Sequence, residues 1–171
     1  MNKRNAIRIE RIFYLVFSLG NEKYALPVNK VISIQEMSKV TNVPLAPGFM
    51  KGIYNLRGKV LPIIDIKVKF GMGETTLTEK NCIVVLELDI NTDKILIGAL
   101  VDKVDSVEEI EDELIQPAPS IGNYYKSLFF SGIVQFDGEF VMLLDVKKLF
   151  DNEELEAIYK DQNVNETLKT I

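Results

Sequence analysis

Residues 49–70 recur, without a gap, at 129–150. Phe49, Gly52, Ile53, Gly58, Asp65, Lys67 and Phe70 each meet an identical residue eighty positions on, and the apolar run Val60–Ile64 faces Phe140–Leu144. Two copies of one small β unit confine the chain to a duplicated architecture. They also separate fold from function. Residues that both copies keep serve the structure, and residues that only one copy carries are candidates for a partner or a reaction.

The remaining pattern is β throughout. Ile12–Leu19 is rich in β-branched and aromatic residues and leads through Gly20-Asn21-Glu22 into Lys23–Val28. Val28, Val31 and Ile34 then fall at three-residue spacing, which predicts a helical turn or bulge, and Val101, Val104 and Val107 repeat that spacing. Val40–Val43 reads as a short strand stopped by Pro44 and Pro47. Ile53–Leu56, Arg57-Gly58 and Lys59–Ile64 read as a hairpin with a glycine turn, and Asp65 is placed to cap a short helical turn. Gly71–Lys80 is the linker between the copies. Asn81–Leu88 and Ile95–Val101 pair around an Asp-Ile-Asn-Thr-Asp turn. From Asp145 on, Leu149, Phe150, Leu155, Ile158 and Tyr159 form the apolar stripe of a terminal helix. Many short strands with glycine turns predict a mainly all-β fold of two small barrels, each borrowing a strand from the other half.

Composition bounds the function. The 171 residues are 47% hydrophobic, enough for a core, and the net charge of −5 argues against a nucleic-acid or anionic-membrane surface. One cysteine, Cys82, allows no intrachain disulfide and suits a reducing compartment. The amino terminus does not read as a signal peptide, and no apolar run is long enough to span a bilayer, so a cytoplasmic protein without membrane insertion is the expectation.

Catalytic chemistry finds no purchase. The chain has no histidine, the commonest general base and metal ligand. Cys82 lies in an apolar strand, where a packing thiol is expected. Gly71-Met72-Gly73-Glu74 lacks the third glycine and lysine of a phosphate loop. The turn at Asp89 fails as a calcium loop, because Lys94 and Leu100 stand where glycine and glutamate are needed. The acidic run 108–113 reads as a solvated face. The expectation is a protein that is not an enzyme and needs no metal or cofactor. Against this background the two hairpin tips differ: Asn55-Leu56-Arg57 in one copy, Gln135-Phe136-Asp137 in the other. Arg57 is either an ordinary exposed arginine or a five-donor anchor at a protein interface.

The segment Phe49-Met50-Lys51-Gly52-Ile53-Tyr54-Asn55-Leu56-Arg57-Gly58-Lys59-Val60-Leu61-Pro62-Ile63-Ile64-Asp65 resembles the central motif of the CheW family of bacterial chemotaxis coupling proteins. So do Tyr14–Gly20 with Tyr24 and Val31, and Gly98–Val104 running on to Ile115-Gln116-Pro117-Ala118-Pro119. The resemblance covers roughly 12–150 and implies two SH3-like five-stranded barrels, at about 20–70 and 81–145, with strand 12–19 shared. An N-terminal extension (1–11), a C-terminal helix (146–160) and a polar tail (161–171) flank them.

It also implies a non-catalytic adaptor, recruited to membrane-associated receptor arrays, that joins the cytoplasmic tips of chemoreceptors to the regulatory domain of the histidine kinase CheA. The receptor-facing positions it implies are Val31, Ser33, Arg57, Gly98, Val104 and Val107. The kinase-facing positions are Gly58 and Val60 on one barrel and Gln116 and Ile121 on the other. Some relatives carry glutamate where Ser33 stands. On an extended strand Gln35 shares the face of Ser33 and Glu36 points away. Ile121 is smaller than the expected aromatic. The alternatives are a coupling protein of a non-chemotaxis receptor–kinase pathway and, in a different class, a nucleic-acid-binding barrel. The latter would need a basic groove with stacking aromatics.

Overall fold

A computed structural model of the chain describes residues 11–118, 129–158 and 160. Ten strands run β1 (Ile12–Leu19), β2 (Glu22–Pro27), β3 (Val31–Glu36), β4 (Met50–Leu56), β5 (Lys59–Asp65), β6 (Cys82–Ile90), β7 (Asp93–Val101), β8 (Lys103–Ile110), β9 (Phe130–Phe136) and β10 (Glu139–Leu144). A short helix α1 (Ile66–Lys69) follows β5. The described residues form two five-stranded sheets, sheet I in the order β8-β1-β2-β10-β9 and sheet II in the order β3-β6-β7-β5-β4.

The two orders are the same arrangement in the two copies, with one exchange. Each copy contributes a leading hairpin and three further strands, and each leading hairpin joins the sheet of the other copy. β2 therefore pairs in parallel with β10, through Val141↔Lys23 to Leu143↔Ala25. β7 pairs in parallel with β5, through Ile63↔Gly98 to Asp65↔Leu100. The expected mutual borrowing is present, but it involves a whole hairpin rather than one strand, β1–β2 in one direction and β6–β7 in the other, so neither sheet coincides with a unit at about 20–70 or 81–145. The chain crosses between sheets at the two places with three-residue valine spacing. A 3₁₀ turn at Val28–Lys30 and a register shift between Val31 and Ser33 carry the first crossing. At the second, Asp102 alone separates β7 from β8, and a register shift that skips Asp105 opposite Val16/Phe17 supplies a bulge in place of a helical turn.

Exchange explains the apolar runs. Alternate side chains of β1 serve two cores: Tyr14 and Val16 fill the interior of sheet I, while Leu15, Phe17 and Leu19 enter a cluster common to both sheets. In β6, Ile83 and Val85 fill the interior of sheet II, and Val84, Leu86 and Leu88 enter the common cluster. A strand buried on both faces reads as continuous hydrophobicity. Each such fully buried Leu, Ile, Val or Phe contributes about 1.5–3 kcal/mol. The common cluster holds Tyr24, whose ring lies 6.0 Å from Phe17 and 5.9 Å from Phe130.

The repeated residues repeat their bonds. The Asp65 N–H donates to the Phe49 carbonyl at 2.8 Å and the Asp145 N–H to that of Phe129 at 2.9 Å. Both aspartates accept from the backbone two residues on, Lys67 and Lys147, which bears out the expected cap at Asp65. Asp65 alone also holds Thr75, accepting from its N–H at 2.8 Å and its hydroxyl at 2.7 Å, and so ties down the linker. The predicted strand at 40–43 contracts to one bridge, Thr41↔Ile53, and its counterpart is Gln116↔Ile133. These bridges join the segment after each sheet's first edge strand to its other edge strand. Gly52 and Gly132 make the close approach possible: a Cβ on Gly52 would lie 2.3 Å from the Thr41 carbonyl oxygen, and one on Gly132 2.8 Å from that of Gln116.

The terminal helix begins later than expected. A 3₁₀ turn at Val146–Lys148 turns Leu149 and Phe150 into the core, and a second helix, α2, spans 152–158. Asp151 and Glu154 cap it reciprocally, at 2.8 and 3.0 Å. Glu154 also pairs with Lys69, whose ammonium lies 4.5 Å from the Phe49 ring centre. Tyr159 lies outside the described residues.

Candidate partner-binding surfaces

The β4–β5 hairpin closes on two residues, Arg57 (φ +50°) and Gly58 (φ +84°), and the Asn55 side-chain oxygen accepts the Gly58 N–H at 2.8 Å. Both central residues have positive φ, the geometry that matches strand twist in a tight hairpin. The β9–β10 hairpin repeats it with Asp137 (φ +50°) and Gly138 (φ +79°). Aspartate tolerates that region and arginine gains nothing from it, at a cost of roughly 1–2 kcal/mol. Arg57 is exposed and makes no ion pair with any described residue. The turn repeats in both copies, so the fold does not explain an arginine here.

The valines lie elsewhere. Val31 opens edge strand β3, Val104 is the second residue of edge strand β8, and both are half-buried against the cluster common to both sheets. Val107, opposite Leu15, is 55% exposed. Arg57 reaches out from the hairpin at the other edge of sheet II from β3. Ser33 lies opposite Val85, and its hydroxyl accepts from the Gln35 side chain at 3.2 Å. The expected facing of Ser33 and Gln35 holds. Neither supplies a carboxylate for Arg57.

Gly98 requires correction as a contact residue. It is buried within β7, and a Cβ there would meet Ile63 at 2.6 Å and Ile83 at 2.7 Å. Neighbouring side chains occupy its space, so it packs the barrel and presents no surface.

Gly58 and Val60 line a cleft of about 570 Å³ with Lys39, Thr41, Ile53 and Tyr54. Gln116 is exposed, and its backbone forms the bridge to Ile133. Ile121 lies outside the described residues. Ile34 and Phe140 are not among the residues singled out from sequence, yet they are 44% and 64% exposed. The signals were present: Ile34 completes the Val28/Val31 stripe as Val107 completes Val101/Val104, and Phe140 repeats the position of Val60.

A family model described as "CheW-like domain" matches residues 14–154. The chain belongs to the CheW-like family. It is 33% identical over 145 residues to the chemotaxis protein CheW of Klebsiella aerogenes, covering 85% of each chain. It is 32% identical to a probable chemotaxis protein CheW of Rhizobium etli, covering 84% of this chain and 90% of that one. Among solved structures it is similar to the scaffolding protein TtCheW from Thermoanaerobacter tengcongensis, with a TM-score of 0.73 at 31% identity over 86% of this chain and 92% of that one. That agreement extends across both sheets and supports the SH3-like, two-barrel architecture. Among the described residues no cluster of His, Cys, Asp or Glu could hold a metal ion, and no helix is long and apolar enough to cross a membrane. The CheW-like chain presents exposed edge strands, hairpin tips and a cleft.

Proposed function

We propose that this chain is a non-catalytic coupling scaffold of a chemotaxis pathway. It bridges the cytoplasmic tips of chemoreceptors to the regulatory domain of the histidine kinase CheA, acts in the cytoplasm and is recruited there to receptor arrays. Membership of the CheW-like family over nearly all the described chain carries this reading. Val31 and Val104, at the margin of the common cluster, and the exposed Val107 take apolar receptor side chains, beside Ser33. Arg57 fixes register by charge-assisted hydrogen bonds to a receptor carboxylate. The kinase side engages Gly58 and Val60 on one barrel and Gln116 with Ile121 on the other. Gly98 supports the receptor face from beneath, by packing. Positioning replaces chemistry here. Holding two partners at once raises their effective concentration, so modest individual affinities assemble a complex.

The test is reconstitution of the full chain with a receptor tip and the kinase. The expected result is capture of each partner alone and receptor control of kinase activity only when the chain is added. Failure to bind either partner would overturn the coupling reading.

A further inference from the structure

Between Glu36 and Asp65 the chain has no acidic residue, yet it has Lys39, Lys51, Arg57 and Lys59. In a chain with 25 acids and 20 bases such a stretch is out of character. Elsewhere Arg11, Lys23, Lys30, Lys67, Lys69, Lys94, Lys103 and Lys148 each have a carboxylate partner, and among the described residues Lys80, Lys147 and Lys160 have none. Lys39, Lys51, Arg57 and Lys59 have no ion pair with a described residue. Two of them, Lys39 and Lys59, line the cleft beside Ile53, Tyr54 and Val60, and no carboxylate lines it. Ammonium groups with no described carboxylate beside them, at the rim of a concave, part-apolar site, give it a positive potential against the negative field of the whole molecule.

We infer that this cleft seats an acidic segment of the kinase regulatory domain, with an apolar side chain against Ile53, Tyr54 and Val60 and carboxylates answering Lys39 and Lys59. The inference rests on the coupling reading above, in which Gly58 and Val60 of the same cleft face the kinase. A protein occupant fits better than a nucleic acid. A single aromatic, Tyr54, lines the cleft, short of a stacking platform for successive bases. The net charge of −5 disfavours a long polyanion running beyond it.

Rim charges act mainly on association rate and salt dependence. The test measures the Kd of the full chain for the kinase regulatory domain at about 0.05 M and about 0.5 M salt, where screening lengths differ severalfold. The wild-type chain is expected to weaken markedly with salt. The Lys39→Glu/Lys59→Glu variant is expected to lose roughly tenfold at low salt and to lose most of the salt dependence. The Lys147→Glu/Lys160→Glu variant makes the same change in net charge at exposed lysines outside the cleft and is expected to bind as wild type. Equal loss in both double variants, or none in the cleft variant, overturns the inference and leaves the coupling reading standing. So does displacement of the kinase domain by a single-stranded oligonucleotide. A wild-type chain that binds no kinase domain overturns both readings.

Discussion

At residue scale, Arg57 and Tyr24 separate function from fold. Arg57 occupies a positive-φ position that glycine adopts more easily, while its counterpart in the second copy is Asp137. Arg57→Gly is therefore expected to leave stability unchanged or raise it by at most about 1 kcal/mol, because relief of φ strain is partly offset by a more flexible unfolded chain. Both Arg57→Gly and Arg57→Ala should weaken receptor capture. Normal coupling by these variants in the reconstituted assay would remove Arg57 from the receptor face. Tyr24 makes the opposite case. Its hydroxyl donates to Glu22 at 2.8 Å, and burial, then that bond and the Glu22 charge, push its pKa far above the ordinary value. A folded-state pKa above the unfolded one stabilises the fold below the unfolded value of about 10, and that stabilisation is lost as pH rises beyond it. Denaturant melts should show stability falling above about pH 10, with a shallower fall in Tyr24→Phe. Gly58 and Asp65 were legible in sequence because a turn and a cap are local devices. Gly98 was misplaced as a contact because its burial depends on Ile63 and Ile83, which arrive from other strands.

At element scale, the hairpins and the closing bridges behave differently. The β4–β5 and β6–β7 hairpins were readable, since alternation and turn residues lie within a few positions of each other. The bridges at Thr41 and Gln116 were not, because one hydrogen-bonded residue leaves no period. Their glycines give the measurable consequence. Gly52→Ala drives a Cβ to 2.3 Å from the Thr41 carbonyl oxygen at a φ of +153°, whereas at Gly132 the obstacles are the Ile115 side chain at 2.6 Å and the Gln116 carbonyl oxygen at 2.8 Å, without a positive φ. Both substitutions should destabilise, Gly52→Ala by more than about 3 kcal/mol and Gly132→Ala by less. Gly58→Ala, with open space around it, should lose only about 1 kcal/mol. Urea midpoints of the three variants check that order, and equal losses would discard the close-approach account. The terminal helix was legible as a stripe but not in its start, because burial of Leu149 and Phe150 interrupts it before Asp151 caps α2.

At the scale of the molecule, the exchanged hairpins make the two sheets interdependent. Neither copy contains a complete sheet: β1 and β2 find their partners among β8, β9 and β10, and β6 and β7 find theirs among β3, β4 and β5. Fragments 1–76 and 77–171, divided in the linker, should each be unfolded as monomers and should restore the native spectrum when mixed. Circular dichroism and amide NMR dispersion check this; a folded monomeric fragment would contradict the exchange. The same interdependence predicts one cooperative unfolding transition, since the common cluster draws on both sheets.

The sequence by itself determined the duplication, the β class, the Gly/Asp frame of each hairpin and the tip at which the copies part. Each of these is written in local spacing or direct self-similarity. The tertiary structure decided which hairpin belongs to which sheet, buried Gly98, gathered Lys39 and Lys59 at one cleft and showed the strained backbone beneath Arg57. The reason is physical. Sheet pairing joins residues far apart in the chain through backbone groups that every residue carries, so no side-chain pattern records the partner. The repeat announces two copies that borrow from each other, but it cannot say that a whole hairpin is exchanged.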